Sequence, residues 1–316
     1  MEPETALDSI EDDGIVLGID LGTSSCKACL VDRNGRRIAE ASSAYPVHAP
    51  HNGWSEQNPD EWFGAVCAAT ADLCRNAPGR MKSVCALTLT SAAHIGVLLD
   101  RKMHPVRPAI LWNDQRSHVE AEQLRVLHGE SILERTHNEI STSWTLAHLA
   151  WVRSHEPENW ARTHRLCLSK DYLIRVLCGE AATDPGTALS SLLYDAQNES
   201  WSAELCSLID LDPATLPPVH PVTAVVGTLL PFAADALGLS PGTPVVNGTL
   251  DSACETYCAG AVRPGTTVLR LGSAGGIHMV WDRARPLQRM INYPHPCPPF
   301  WYSQAGTNAA GTSLEW

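Results

Sequence analysis

The most constraining feature of this 316-residue chain is an apolar run, Gly14-Ile15-Val16-Leu17-Gly18-Ile19-Asp20, that ends directly in the turn Leu21-Gly22-Thr23-Ser24-Ser25. A second run follows at about 26–32, and Asn34-Gly35 then supplies a tight turn into a third near 36–44. Short runs of this kind between turn residues read as strands joined in hairpins, so the chain opens on a β-meander. Helical and strand patterns alternate afterwards, which predicts α/β layering. A helix begins near Asn58, with Asn58 as cap, Pro59 at the first helical position and Glu61 completing a capping box. Its apolar face carries Trp62, Val66 and Leu73. Strands are expected near 83–90, 96–100 and 109–113, and helices near 116–128, 143–154 and 169–178. A buried strand at Val245–Gly248 leads to a helix from Asp251. Strands near 266–271 and 276–281 open a second meander that resembles the first.

Three short segments carry chemistry. In the first turn, Gly22 lets the backbone approach an oxyanion, while Thr23 and Ser24 offer N–H and O–H donors to phosphate. Asp20, at the end of the strand, is suited to hold Mg²⁺ through water. A plain hairpin would use the same residue types. In the second segment, Asn247-Gly248-Thr249-Leu250-Asp251, a carboxylate sits where a strand gives way to a helix, facing the crevice in which α/β proteins bind ligands. The helix N-terminus should keep Asp251 ionised at neutral pH, making it a modest base; the bland reading is an ordinary helix cap. The third segment, Leu271-Gly272-Ser273-Ala274-Gly275-Gly276, repeats the logic of the first, with Gly272 and Ser273 placed to wrap phosphate. Two phosphate-type hairpins with a carboxylate between them describe a two-lobed phosphotransferase.

Composition removes other classes. The net charge is −12, which argues against nucleic acid or an anionic membrane as partner. No apolar run approaches the roughly 20 residues that span a bilayer, and the acidic residues 1–13 read as a disordered leader rather than a signal peptide. Eleven scattered cysteines, an odd number, suit a reducing cytoplasm. Cys26 and Cys29 are three apart on a strand and should face opposite ways, so they make no metal or redox pair. Cys254 and Cys258 share a helix face without the partners that zinc needs.

The ordered series of motifs resembles the FGGY carbohydrate kinases, in their xylulokinase form, over nearly the whole chain. Gly53-Trp54-Ser55-Glu56-Gln57-Asn58-Pro59 with Trp62 resembles the family's segment near the sugar pocket. Arg107-Pro108-Ala109-Ile110-Leu111-Trp112-Asn113-Asp114-Gln115-Arg116, Lys170-Asp171-Tyr172, Thr183-Asp184, and Pro217-Pro218 through Val226-Gly227-Thr228 extend the match. The resemblance implies an actin/hexokinase-like, ribonuclease H-like fold. A sugar-binding N-terminal domain would occupy 14–262, and 263–316 would begin a C-terminal nucleotide-binding domain that the family continues beyond Trp316. It implies ATP and Mg²⁺ as cofactors and a small sugar or polyol as substrate, D-xylulose or a related pentulose first, with a homodimer as the assembly allowed for. Asp251 would be the catalytic base, Asp20, Gly22, Thr23 and Ser24 the first phosphate and metal turn, and Gly272 and Ser273 the second. His94 would contact the sugar, and Trp54, Trp112, Asp114 and Arg116 would line or brace its pocket, Arg116 more as a brace for Asp114 than as a sugar contact.

Three departures stand out. Ala92-Ala93 replaces the Gln-Met that usually precedes the histidine, Ser252 replaces an asparagine often found after the catalytic Asp, and the family's adenine-gripping segment has no match within the chain. A non-catalytic sugar-binding fragment is therefore the alternative to a working kinase. An ATPase of the same superfold is a weaker reading, since the Trp54, Trp112 and Arg116 segments have no counterpart expected there.

Overall fold

The computed structural model describes residues 14–271, 275–287 and 289–307. Its first sheet has six strands: β1 (Ile15–Leu21), β2 (Ser25–Asp32), β3 (Arg37–Ala44), β4 (Val84–Ser91), β5 (Val225–Thr228) and β6 (Pro244–Leu250), in the spatial order β5-β6-β4-β1-β2-β3. The meander β1-β2-β3 is antiparallel, whereas β4 runs parallel to both β1 and β6. This is the ribonuclease H-like arrangement of the actin/hexokinase fold. The alternation of β1 explains its place: Ile15, Leu17, Ile19 and Leu21 face the core, while Gly18 and Asp20 face the other way.

Helix α1 (Asp60–Asn76) covers the core face and buries Trp62, Val66 and Leu73, as its spacing predicts. The capping box does not form. Pro59 is the N-cap, the Asn58 side chain accepts only the Asp60 N–H at 3.2 Å, and one Glu61 carboxyl oxygen is buried without a partner. Helices α2 (His118–Thr136) and α3 (Thr145–His155) build a second layer beside the sheet, and α4 (Ser169–Cys178) packs between the layers. Only Ala109–Ile110 of the expected strand 109–113 pairs with a neighbour, Glu56–Gln57. The chain then turns, which frees Trp112 and Asp114 to point inward.

Helix α5 (Asp251–Cys258) follows β6 without a gap. The second sheet contains β7 (Thr267–Leu271), β8 (Gly275–Trp281), β9 (Ile291–Pro294) and β10 (Trp301–Thr307), all antiparallel, in the order β7-β8-β10-β9. The second meander therefore exists with a change: β10 pairs with β8, and β9 lies outside it. Tyr293 and Tyr302 of this sheet are fully buried in the same apolar cluster as Trp144, Leu189 and Leu250. Gly272 and Ser273 lie outside the described residues, as does the leader 1–13. All eleven cysteines are free; Cys26 is buried and Cys29 half-buried, as their spacing requires. Among the described residues no helix is long and apolar enough to cross a membrane.

Candidate active site

The parallel register brings the chemistry to one edge. Leu21 pairs with Ser91, and Ser91 with Leu250, so β1, β4 and β6 finish level with one another. The residues immediately beyond those ends are Gly22-Thr23-Ser24, Ala92-Ala93-His94 and Asp251-Ser252. An open cavity of about 770 Å³ runs along the sheet toward this edge, lined by Asp20, Lys27, Thr88, Thr90, Gly248 and Cys254 among others. Ligands of α/β sheets bind at such carboxyl-terminal edges.

The first turn is held rigid from behind. The Gly22 N–H donates to the Ser25 carbonyl at 3.1 Å, the Tyr45 hydroxyl donates to the Gly22 carbonyl, and the Tyr45 N–H donates to the Ser24 carbonyl at 3.2 Å. Gln57 donates its side-chain amide to the Thr23 carbonyl at 2.6 Å and accepts the Trp62 indole N–H at 3.2 Å, which ties the turn to α1. The Trp112 indole N–H donates to the Thr23 hydroxyl at 3.1 Å. Trp112 thus braces the Gly22–Ser24 turn, a role its sequence context did not separate from that of a pocket wall.

Asp20 has one carboxyl oxygen buried without a hydrogen-bond partner and the other 3.9 Å from the Lys27 ammonium. Burial raises its pKa and Lys27 partly offsets this. A buried acceptor left without a donor is costly unless something else occupies it. Asp251 is the first residue of α5, not its cap, and its Oδ1 accepts the Ser252 N–H at 2.6 Å. Burial pushes its pKa up to about 7; Glu255 and Asp20 add to the rise, while the Ser252 N–H and Arg270 oppose it. The sequence expectation that the helix terminus keeps Asp251 ionised at neutral pH is corrected here: desolvation, with two neighbouring carboxylates, raises its pKa against that terminus.

Asp114 and Arg116 do not reach an open surface. Arg116 donates Nε and Nη2 to the two oxygens of Asp114 at 2.9 and 2.7 Å and Nη1 to Glu56 at 2.6 Å, and it stacks 3.7 Å over the Trp54 ring. Asp114 also accepts the Ser55 N–H at 2.6 Å. The pair is a brace that fixes Trp54, as expected of Arg116 toward Asp114, and of the two expected roles, lining or bracing, these side chains take the second. Trp54 also meets the Trp151 edge at 5.2 Å.

His94 is likewise enclosed. Its Nδ1–H donates to the Ser190 carbonyl at 3.0 Å, which leaves Nε2 to accept the Tyr293 hydroxyl at 3.1 Å, and burial pushes its pKa down to about 3. The ring is neutral, held at φ +66° and edge-on to Trp144. Both ring nitrogens are therefore already engaged within the protein. Tyr293, and Tyr302 whose hydroxyl bonds Ser252 Oγ at 2.9 Å, are the members of this edge that the sequence did not disclose. Both come from the second sheet, some 40–50 residues after Ser252, and no motif marks them.

The sheet order, the switch point at Asp251 and the glycine turn define a lobe of the actin and sugar-kinase superfold. Comparison with known proteins agrees. The model of the FGGY family of carbohydrate kinases, N-terminal domain, matches residues 15–258. The chain is 33% identical over 303 residues to the xylulose kinase of Bacillus subtilis (strain 168), covering 95% of this chain and 61% of that protein. It is 32% identical over 304 residues to the xylulose kinase of Staphylococcus epidermidis (strain ATCC 12228 / FDA PCI 1200), covering 96% and 60%. The crystal structure of the xylulose kinase from Rhodospirillum rubrum superimposes with a TM-score of 0.91 at 31% identity, covering 96% of this chain and 62% of that one. The chain belongs to the FGGY family of carbohydrate kinases, and it spans about three fifths of the length of these relatives.

Removing Arg116 leaves Asp114 as an unpaired charge with no exposed surface. Arg116→Ala should therefore cost about 3–5 kcal/mol, measured by denaturant unfolding, and the indole emission of Trp54 should change with it.

Proposed function

We propose that the protein phosphorylates a sugar hydroxyl from ATP, with D-xylulose giving D-xylulose 5-phosphate as the first candidate reaction. Asp251 carries this reading: a carboxyl group at the carboxyl-terminal edge of the sheet, poised near neutrality, beside a glycine-hydroxyl turn whose carbonyls are tied away from the cleft. The acceptor hydroxyl would pass its proton to Asp251 as its oxygen attacks the γ-phosphorus, and the bond to the β-phosphate oxygen would break as ADP leaves. Phosphoryl transfer asks more of positioning than of base strength, so a pKa near 7 is sufficient.

The residues present fit a phosphate-bound metal ion. The unpartnered Asp20 oxygen would hold Mg²⁺, directly or through water, and the Thr23 and Ser24 groups would face the phosphates. No group of three or more His, Cys, Asp or Glu side chains clusters as a metal site among the described residues. That suits an ion whose other ligands come from phosphate and water. When bound, Mg²⁺ neutralises charge on the phosphate oxygens. Gly272 and Ser273 are proposed to cover those oxygens from the second lobe.

The acceptor assignment draws on the relatives named xylulose kinase and on Trp54, which the Arg116 brace sets on edge against Trp151. The small side chains of Ala92 and Ala93 and the Ser252–Tyr302 bond would reshape the sugar end of the cleft. A ketopentose, another pentulose or a polyol fits this proposal, acting in the cytoplasm.

Asp251→Asn should abolish ADP formation while leaving nucleotide affinity unchanged. Since the folded pKa of Asp251, about 7, lies above the ordinary carboxylate value of 3.8, its contribution to stability is lost as pH rises between those two values and does not change further above the upper one. The same variant should accordingly melt higher than the parent at pH 8. In the parent, kcat/KM should climb about tenfold per pH unit below the Asp251 midpoint and level off above it. Turnover at the parent rate by Asp251→Asn would sink the base assignment. Calorimetry with D-xylulose, other pentuloses, polyols and hexoses, run beside an ADP assay, separates a working kinase from a sugar-binding fragment: binding without ADP release marks the fragment.

A further inference from the structure

Lys170, in α4, has no exposed surface, an unusual position for a lysine. Its ammonium lies 3.0 Å from the Asn247 carbonyl oxygen, 3.1 Å from Asp171 and 3.5 Å from Asp184. Asp184 in turn accepts the Thr249 hydroxyl at 2.6 Å and the Gly186 and Thr187 N–H groups at 3.0 and 3.3 Å. None of these side chains reaches the cavity edge itself, yet two of them, Asn247 and Thr249, belong to the strand that ends at Leu250, immediately before Asp251.

That strand carries a bulge at this point. Val246 pairs with Thr88 and Thr249 with Thr90, so β6 advances three residues while β4 advances two. The extra residue reverses which face the following side chains take. The bulge needs Gly248: its φ is +73°, and a Cβ there would lie 1.8 Å from the Leu89 carbonyl oxygen. It also needs new partners for the displaced backbone. The Asn247 and Gly248 N–H groups donate to Ala224 and Val222, and the Asn247 side-chain amide donates to the Thr183 and His220 carbonyls at 2.9 and 3.1 Å. Lys170 holds the other end of that amide, and Asp184 holds Thr249 immediately after the bulge.

We propose that Lys170 is a positioning residue: with Asp184 and Thr249 it locks the bulge that aims Asp251 into the cleft. This rests on Asp251 being the base, and it assigns a role to the Lys170-Asp171 and Thr183-Asp184 segments that the reaction itself leaves unused. If the lock loosens, the carboxyl of Asp251 relaxes toward water and loses the burial that sets its protonation. The charged and titratable groups facing Asp251, namely Asp20, Glu255, Arg270, Cys254, Tyr293 and Tyr302, stay in place in every variant below.

The test is carbon-13 NMR titration of the Asp251 carboxyl in the 316-residue chain, its signal assigned by disappearance in Asp251→Asn. Thr249→Val keeps the side-chain shape and removes the hydroxyl, Thr249→Ser restores the hydroxyl, and Lys170→Met removes the ammonium. The parent should titrate near its raised midpoint of about 7, and Thr249→Ser should match it. Thr249→Val and Lys170→Met should titrate lower by about one pH unit or more, a tenfold change in the ionised fraction. If Thr249→Val retains the parent's circular dichroism and the parent's midpoint, the proposal is overturned; should Lys170→Met fail to fold, the Thr249 pair alone decides. Turnover retained by Asp251→Asn would instead sink the base assignment, and it is read without reference to where the carboxyl titrates.

Discussion

The parallel pairing of β1, β4 and β6 is the constraint on which the site depends. Because Leu21, Ser91 and Leu250 share a level, three loops that are far apart in the chain begin at one edge. The hydrogen bond from the Ala92 N–H to the Leu21 carbonyl, 3.1 Å, carries the pairing one residue past the strands and draws the first two loops together. The third loop arrives in the same place only because β6 contains one residue more than its neighbour needs. Asp20 precedes the edge and Asp251 follows it, which is how Asp20 comes close enough to add to the burial that raises the Asp251 pKa.

Buried charge is handled in two ways around this edge. The Arg116–Asp114–Glu56 cluster satisfies its members so fully that it has nothing to offer a ligand; its product is the fixed orientation of Trp54. The Lys170–Asp184 cluster holds the end of β6, with one oxygen each of Asp171 and Asp184 facing only the Lys170 ammonium. Asp20 and Asp251 are the contrast. One keeps a buried oxygen without a donor, and burial raises the pKa of the other to about 7.

Much of this was legible in the sequence, for identifiable reasons. The meander, the α1 face and the start of α5 follow from strong local patterns: apolar alternation, the Trp62-Val66-Leu73 spacing, and a strand that runs straight into Asp251. What was misread depended on packing. Asn58 and Glu61 have the residue types of a capping box, but the chain enters α1 through Pro59, leaving Asn58 outside the cap position. Ala109–Asn113 has the composition of a strand, yet only two residues find a partner. The protonation of Asp251 departs from the sequence expectation because the helix terminus is visible in a sequence while the depth of its burial and the approach of Asp20 are not. Tyr293 and Tyr302 carry no signal at all, since only the folding of the second sheet onto the first makes them part of the site.

Those two tyrosines have a mechanical meaning. Tyr293 grips His94, Tyr302 grips Ser252, and nearby Asn292 and Asn138 exchange hydrogen bonds at 2.7 and 3.0 Å. The two sheets are thereby stitched at the carboxyl-terminal edge of the first. Sliding one sheet against the other would have to break these bonds, so the seam fixes the second sheet in place behind His94 and Ser252.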